Sequence, residues 1–109
     1  MTDPRIGELR DLLALEEPVR AEDTGGGAIV TWSEVSQVWA RITPTVGGEK
    51  VVADGVRERI THEIVIRFRP GINATMRLNG GGRTFEIKAA FDIGERRRWL
   101  RLLTEERLG

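Results

Sequence analysis

The sequence predicts a mainly β, antiparallel domain, and three observations carry that prediction. Over 60–69, Ile60, His62, Ile64, Ile66 and Phe68 fall on one face, while Thr61, Glu63, Arg67 and Arg69 fill most of the other. Over 83–91, Phe85, Ile87, Ala89 and Phe91 alternate with Thr84, Glu86 and Lys88. A period of two residues is the signature of a half-buried strand. The run Asn79-Gly80-Gly81-Gly82 links the second of these segments to Ile72–Leu78. Such a glycine-rich link between alternating runs is a hairpin signal.

The remaining elements follow in chain order. Met1-Thr2-Asp3-Pro4-Arg5 leads into a charged stretch with no apolar core of the kind a signal peptide needs. Ile6–Glu16 fits a helix through Ile6, Leu9 and Leu13, or a strand through Leu9, Leu13 and Leu15. Gly25-Gly26-Gly27 reads as a hairpin tip before two strands, Ala28–Trp32 and Gln37–Ile42, rich in Val, Ile and Trp. Trp32 and Trp39 are large apolar anchors for a core or an interface. The long connection Thr45–Arg59 lacks a strand pattern and is expected to hold one short helix over Glu49–Val56, with Val51, Val52 and Val56 on its apolar side. Pro70-Gly71 ends the next strand with a turn, so Ile60–Arg69, Ile72–Leu78 and Arg83–Phe91 are expected to form a meander of three consecutive antiparallel strands. Glu95–Leu108 offers Trp99, Leu102 and Leu103 to a helix, or Leu100 and Leu102 to a strand.

A chain of 109 residues is expected to form a single domain over 1–109. Its apolar runs are far shorter than the ~20 residues of a membrane helix, so no membrane partner is expected. Without cysteine there is neither a disulfide nor thiolate chemistry. Seventeen basic side chains balance seventeen acidic ones, whereas tight grip on nucleic acid calls for a basic excess. All but Lys50 and Lys88 of the basic residues are arginines, the side chain best suited to forked pairs with carboxylates at interfaces.

No catalytic, cofactor-binding or metal site is expected. The single histidine, His62, lies on the apolar face of a strand, where a packed, hydrogen-bonded role is the ordinary one. One histidine without cysteine does not supply a zinc site. Ser33 and Ser36 lie outside any nucleophile motif and have no base spaced to serve them. Glu16, Glu17, Asp54, Glu58, Glu105 and Glu106 read as solvated acids rather than a paired catalytic set. Neither glycine triplet has the lysine of a phosphate loop. Arg96-Arg97-Arg98 is the one local basic cluster: a contact patch for DNA phosphates, or a set of partners for Glu95, Glu105 and Glu106.

The order of elements resembles that of the phage head–tail joining proteins, also described as head-closure or stopper proteins. The resemblance runs through Pro18-Val19-Arg20, Trp32, Val38-Trp39-Ala40 and Gly48-Glu49. It continues through Thr61-His62, Ile64-Val65-Ile66-Arg67-Phe68-Arg69, Gly71-Ile72 and Met76-Arg77, and closes with Gly82-Arg83-Thr84-Phe85-Glu86-Ile87, Glu95-Arg96 and Leu100–Leu103. Two stretches depart from it: the acidic, leucine-rich Leu12-Leu13-Ala14-Leu15-Glu16-Glu17, and the connection Asp92-Ile93-Gly94.

That resemblance implies a small β-barrel or sandwich with one short helix, acting without cofactor or turnover. It implies a homo-oligomeric ring in the neck of a tailed-phage-like particle (phage, prophage or gene transfer agent) assembled in the bacterial cytoplasm. Portal and adaptor proteins would lie on the head side, and a tail terminator or tail tube on the tail side. Packaged double-stranded DNA would pass through the lumen without tight binding, which zero net charge favours. The connection would then present Glu49, Lys50, Asp54, Arg57, Glu58 and Arg59 to the lumen or to neighbours. The competing readings are a tail-terminator-type ring protein and a small barrel that binds single-stranded nucleic acid, the latter requiring exposed aromatics and a basic groove.

Overall fold

A computed structural model describes residues 8–22, 24–46, 50–53 and 56–107. Its strands are β1 (Asp11–Glu22), β2 (Ala28–Pro44), β3 (Lys50–Ala53), β4 (Val56–Arg59), β5 (His62–Arg67), β6 (Arg77–Gly80), β7 (Arg83–Asp92) and β8 (Trp99–Arg107). Six of them close into a barrel in the order β1-β2-β5-β8-β7-β6, with β6 returning to β1 and every neighbouring pair antiparallel. β3 and β4 form a separate two-stranded hairpin between β2 and β5.

A barrel this small is filled by side chains. Leu13 and Leu15 of β1, Ile64 and Ile66 of β5, Leu78 of β6, Phe85 and Ile87 of β7, and Leu100 and Leu102 of β8 fill it. Each such Leu, Ile or Phe contributes about 1.5–3 kcal/mol by leaving water. Thr104 is the one buried polar residue among the described ones, and its hydroxyl donates to the His62 carbonyl at 2.9 Å. A second, outer cluster packs Leu9 on Val65 and Trp99, with Ile93 beside them. It seats the segment before β1 against the outside of the wall, where Glu8 accepts from Arg41 at 2.8 Å.

Both ambiguous segments become strand, from Asp11 and from Trp99 onward, because a closed barrel requires a neighbour on each side of every wall strand. The expected three-strand meander is corrected. β6 and β7 do form a hairpin, closed by Gly81 and Gly82 at φ +59° and +77°. Two positive values define the turn that matches strand twist. β5, however, is flanked by β2 and β8 and never touches β6 in the ladder. The residues between them turn over the barrel mouth instead: the Asn73 side chain accepts from Thr75 N at 2.9 Å, and Met76 N donates to Asn73 O at 3.2 Å. An asparagine that bonds two residues ahead favours a turn over a strand, so the strand expected over Ile72–Leu78 begins only at Arg77.

The short helix over Glu49–Val56 is also corrected. Its described part is strand, with Lys50 opposite Arg59 and Ala53 opposite Val56. Val51, Val52 and Val56 are β-branched and favour the strand they form. The Asp-Gly dipeptide that follows Ala53 is among the strongest short hairpin signals in sequence.

Two bulges alter the expected faces. The two strands read at Ala28–Trp32 and Gln37–Ile42 are one 17-residue strand, with Val35 as an extra residue between Ser36, opposite Leu15, and Glu34, opposite Glu16. In β7, Lys88 is the extra residue between Ile87, opposite Thr104, and Ala89, opposite Leu103. A one-residue insertion exchanges the faces beyond it. Ala90 therefore packs on the core and Phe91 is exposed, contrary to the inward alternation expected for Ala89 and Phe91.

Candidate assembly surfaces

β1 and β2 run well past the barrel wall. They pair from Asp11 opposite Ala40 to Glu22 opposite Ala28, yet β6 takes only Ala14–Glu16 of β1, and β5 takes only Ala40–Pro44 of β2. Beyond those points the two strands form an arm with an open backbone edge on each side, and the molecule is elongated, 51 × 30 × 27 Å. The register puts Pro18, Val30 and Trp32 on the arm's outer face, and Val19, Ala21 and Ile29 on the face continuous with the barrel interior. Both faces are exposed; Ile29 is 51% and Val30 54% accessible. At the arm's base Arg77 stacks over Trp32 at 4.1 Å and donates to Glu16 at 2.7 Å, so one guanidinium ties arm to wall.

A cleft of about 460 Å³ opens where β2 departs from β5, between Gln37–Trp39 and Arg67–Arg69, with Leu9 at its side. Trp39 is 56% exposed at its lip. Of the core or interface role expected of Trp32 and Trp39, the core is not taken by either, since both lie at the surface. The predicted patch Arg96, Arg97 and Arg98 lies at this same end of the barrel. Asp92 accepts from the Arg97 amide at 3.1 Å in a turn where Gly94, Glu95 and Arg97 all have positive φ. Phe68 N donates to Arg98 O at 2.9 Å, which continues β5 beside the turn, and the Arg97 guanidinium lies 6.0 Å from the Phe68 ring. Among the described residues, Arg67, Arg69 and Arg96 to Arg98 make no ion pair, so of the two readings of the cluster, pairing with Glu95, Glu105 and Glu106 does not occur.

The barrel wall treats its basic residues differently. Arg41 pairs with Glu8, Arg83 with Glu106, Arg101 with Glu63 and Arg107 with Glu86, at 2.8 to 3.0 Å. Lys88, set outward by its bulge, reaches Glu86 at 3.2 Å, Glu58 at 3.6 Å and Glu105 at 3.9 Å. Burial pushes the Glu86 pKa up, but hydrogen bonds from Arg107 and Lys88 outweigh it and hold the carboxyl below its usual range.

The β3–β4 hairpin leaves the opposite end of the barrel. Of the six residues predicted there, Glu49 and Asp54 lie outside the described residues. Alternation along β4 places Arg57 and Arg59, both exposed, on one face, with Lys50 opposite Arg59 in register. Glu58 falls on the other face and turns to Lys88. The hairpin is thus moored to the wall through its acidic residue, and among the described residues Arg57 and Arg59 make no ion pair. Thr45 supports its root by donating from N to Thr61 O and from Oγ1 to Ile60 O, each at 2.9 Å.

His62 sits near this end, packed edge-on to Phe85 at 5.4 Å and hydrogen-bonded through Nδ1 to Thr61 Oγ1 at 2.9 Å. Burial lowers its pKa; Glu106 opposes that shift and Arg83 adds to it. The hydrogen bond from Arg83 holds the Glu106 carboxyl below its usual range.

The arm, the cleft and the Lys88 cluster were not singled out from sequence. Their signals are modest: consecutive Ile29-Val30 puts an apolar residue on both faces of one strand, and Trp39 falls out of phase with Val38 and Ala40.

A family model described as phage head completion protein matches residues 4–107. The chain is similar to a chain of a structure titled as the virion of a native gene transfer agent particle, with 30% identity, a TM-score of 0.68, and coverage of 98% of this chain and 100% of that one. It is also similar to protein SF1141 from Shigella flexneri 2a, with 25% identity, a TM-score of 0.67, and coverage of 94% and 96%. No curated protein matches it.

Proposed function

Because the chain belongs to the phage head completion protein family, we propose that it is a non-enzymatic ring subunit in the neck of a phage or gene transfer agent particle. There it closes the filled head, retains the packaged DNA and presents the surface on which the tail docks. Its neighbours are the portal and adaptor on the head side and the terminator or tube on the tail side. The particle is assembled in the bacterial cytoplasm.

The observation that carries this reading is the end-to-end similarity to a chain of a gene transfer agent virion. Physical features support it. Zero net charge suits a conduit through which duplex must slide, since a strongly basic lumen would hold it by counterion release. Lys50, Arg57 and Arg59, at one face of the β3–β4 hairpin, are the residues to meet DNA or the adaptor, while Glu58 and Lys88 set the hairpin's direction.

The test removes the gene from its own particle system. Heads that fill but leak DNA, or fail to join tails, are the expected outcome; normal tailed and infectious or transducing particles would refute the reading. Replacing Lys50, Arg57 and Arg59 together by alanine tests the hairpin. DNA retention and tail joining should fall, and unchanged values would remove the hairpin from the mechanism.

A further inference from the structure

We propose that neighbouring copies of this chain join head to tail through the arm, the β1–β2 arm of one copy lying in the β2–β5 cleft of the next. The inference rests on the ring reading above and assigns the surfaces that would build the ring.

The cleft has the chemistry of a seat for extended backbone. Its walls are apolar (Leu9, Val38, Trp39, Phe68), and Arg67 and Arg69 stand at the rim. One side is the β5-facing edge of β2, which has no strand partner on that side before Ala40. A sheet edge beside an apolar slot recognises an added strand through main-chain bonds and side-chain pockets. Duplex DNA offers neither an extended peptide edge nor apolar side chains, so the rim arginines alone do not make this cleft a DNA site.

The arm has the complementary chemistry. It is extended, and its own barrel leaves Val30 uncovered on one face and Val19 and Ile29 on the other, with Trp32 on the outer face partly covered by Arg77. Apolar area of this kind marks an interaction surface. Its exposed charges are mainly acidic, Glu17, Glu22 and Glu34 against Arg20, and among the described residues none of the four makes an ion pair. The cleft end carries the opposite sign, with Arg67, Arg69 and Arg96 to Arg98 against Glu95, and there too no ion pair forms among the described residues. Complementary potentials of this sort steer encounter and fix register.

Geometry excludes an intramolecular fit. The arm is continuous with the wall strands, and the cleft lies at its own base along β2, so a copy does not fold its arm back into its own cleft. Arm and cleft are different surfaces, and a contact between unlike surfaces repeats from copy to copy, closing a ring where its rotation closes.

The chain has no cysteine, so a defined pair can be introduced. Glu17→Cys and Arg69→Cys are combined in one chain, particles are produced in their own system, and a short bismaleimide is applied. A ladder of dimers, trimers and higher multimers on a denaturing gel is expected, with no ladder from either single variant. Cryo-electron microscopy of wild-type necks reads the ring separately. A ring in the neck without a ladder overturns the arm contact and leaves the ring reading standing; absence of the chain from the neck overturns both. Charge exchange provides a second route. Glu17→Arg with Glu22→Arg, or Arg69→Glu with Arg97→Glu, should each lower incorporation roughly tenfold or more, given the coupling of close charge pairs. All four together should restore it. If either pair alone incorporates normally, or the fourfold variant folds by circular dichroism and stays excluded, the arm contact is refuted.

Discussion

Lys88→Met tests whether the bulge in β7 moors the β3–β4 hairpin. The ammonium lies 3.2, 3.6 and 3.9 Å from Glu86, Glu58 and Glu105. Each attraction is about 1 kcal/mol at the dielectric of water and about 4 at an effective value of 20. Lost side-chain entropy and salt screening reduce a single exposed pair to about 0.2–1 kcal/mol. Three pairs on one half-buried ammonium should therefore contribute about 1–2 kcal/mol, and removing it leaves three carboxylates facing one another. Arg107 still holds Glu86 at 3.0 Å, which limits that repulsion. The expected loss is about 2 kcal/mol, or about 10 °C in Tm for a chain of this size. Thermal unfolding of the purified protein at neutral pH measures it, and hydrogen exchange should show β4 amides losing more protection than β8 amides. Lys88→Arg, which keeps the charge, should recover most of the loss. An unchanged Tm, or equal loss of protection in β4 and β8, would refute the mooring role.

Other expectations follow from single contacts. Arg77→Ala removes both the stack on Trp32 and the pair with Glu16; about 1–2 kcal/mol of stability should go, with a change in tryptophan emission from the arm. Gly80→Ala places a Cβ 2.7 Å from Leu13 Cδ2 and 3.0 Å from the Leu12 carbonyl oxygen. Overpacking of that kind costs about 1–3 kcal/mol, measurable by denaturant titration. His62 has a pKa below its unfolded value, so protonation opposes folding. Stability contributed by the neutral ring is present above pH 6.5, declines as pH falls from there to the lower folded pKa, and changes no further below it. His62→Gln should flatten that part of the pH–stability curve; an identical slope would show that another group titrates.

Local patterns read correctly where side chains meet the interior in unbroken alternation. His62–Arg67 does so, and so does Arg83–Ile87 with its glycine turn. The reading fails at Val35 and Lys88, because a bulge is specified by the partner strand as much as by the bulged one. It fails again at β5 to β6, where Ile72 and Met76 still reach the core but from a turn; burial alone does not distinguish a strand from a loop folded over a barrel mouth. Strand order is not local at all: β8 is inserted between β5 and β7 although it comes last in the chain. Of the candidate site, Arg57 and Arg59 share a face as a strand requires. The cleft escaped notice because it exists only where two strands distant in sequence diverge.

The bulge at Val35 has a consequence for how the arm is addressed. It offsets the phase of β2 by one residue at the point where wall becomes arm, and so sends Trp32 to the outer face, within reach of Arg77. Deleting Val35 would remove only the unpaired residue and leave Trp32 opposite Pro18 on the outer face, whereas one residue inserted in β1 between Leu15 and Glu16 would give Val35 a partner and exchange the arm's two surfaces. Trp32 would then point with the barrel interior and Ile29 away from it. A single codon added opposite Val35 would therefore act as a selector, changing what the arm offers a partner.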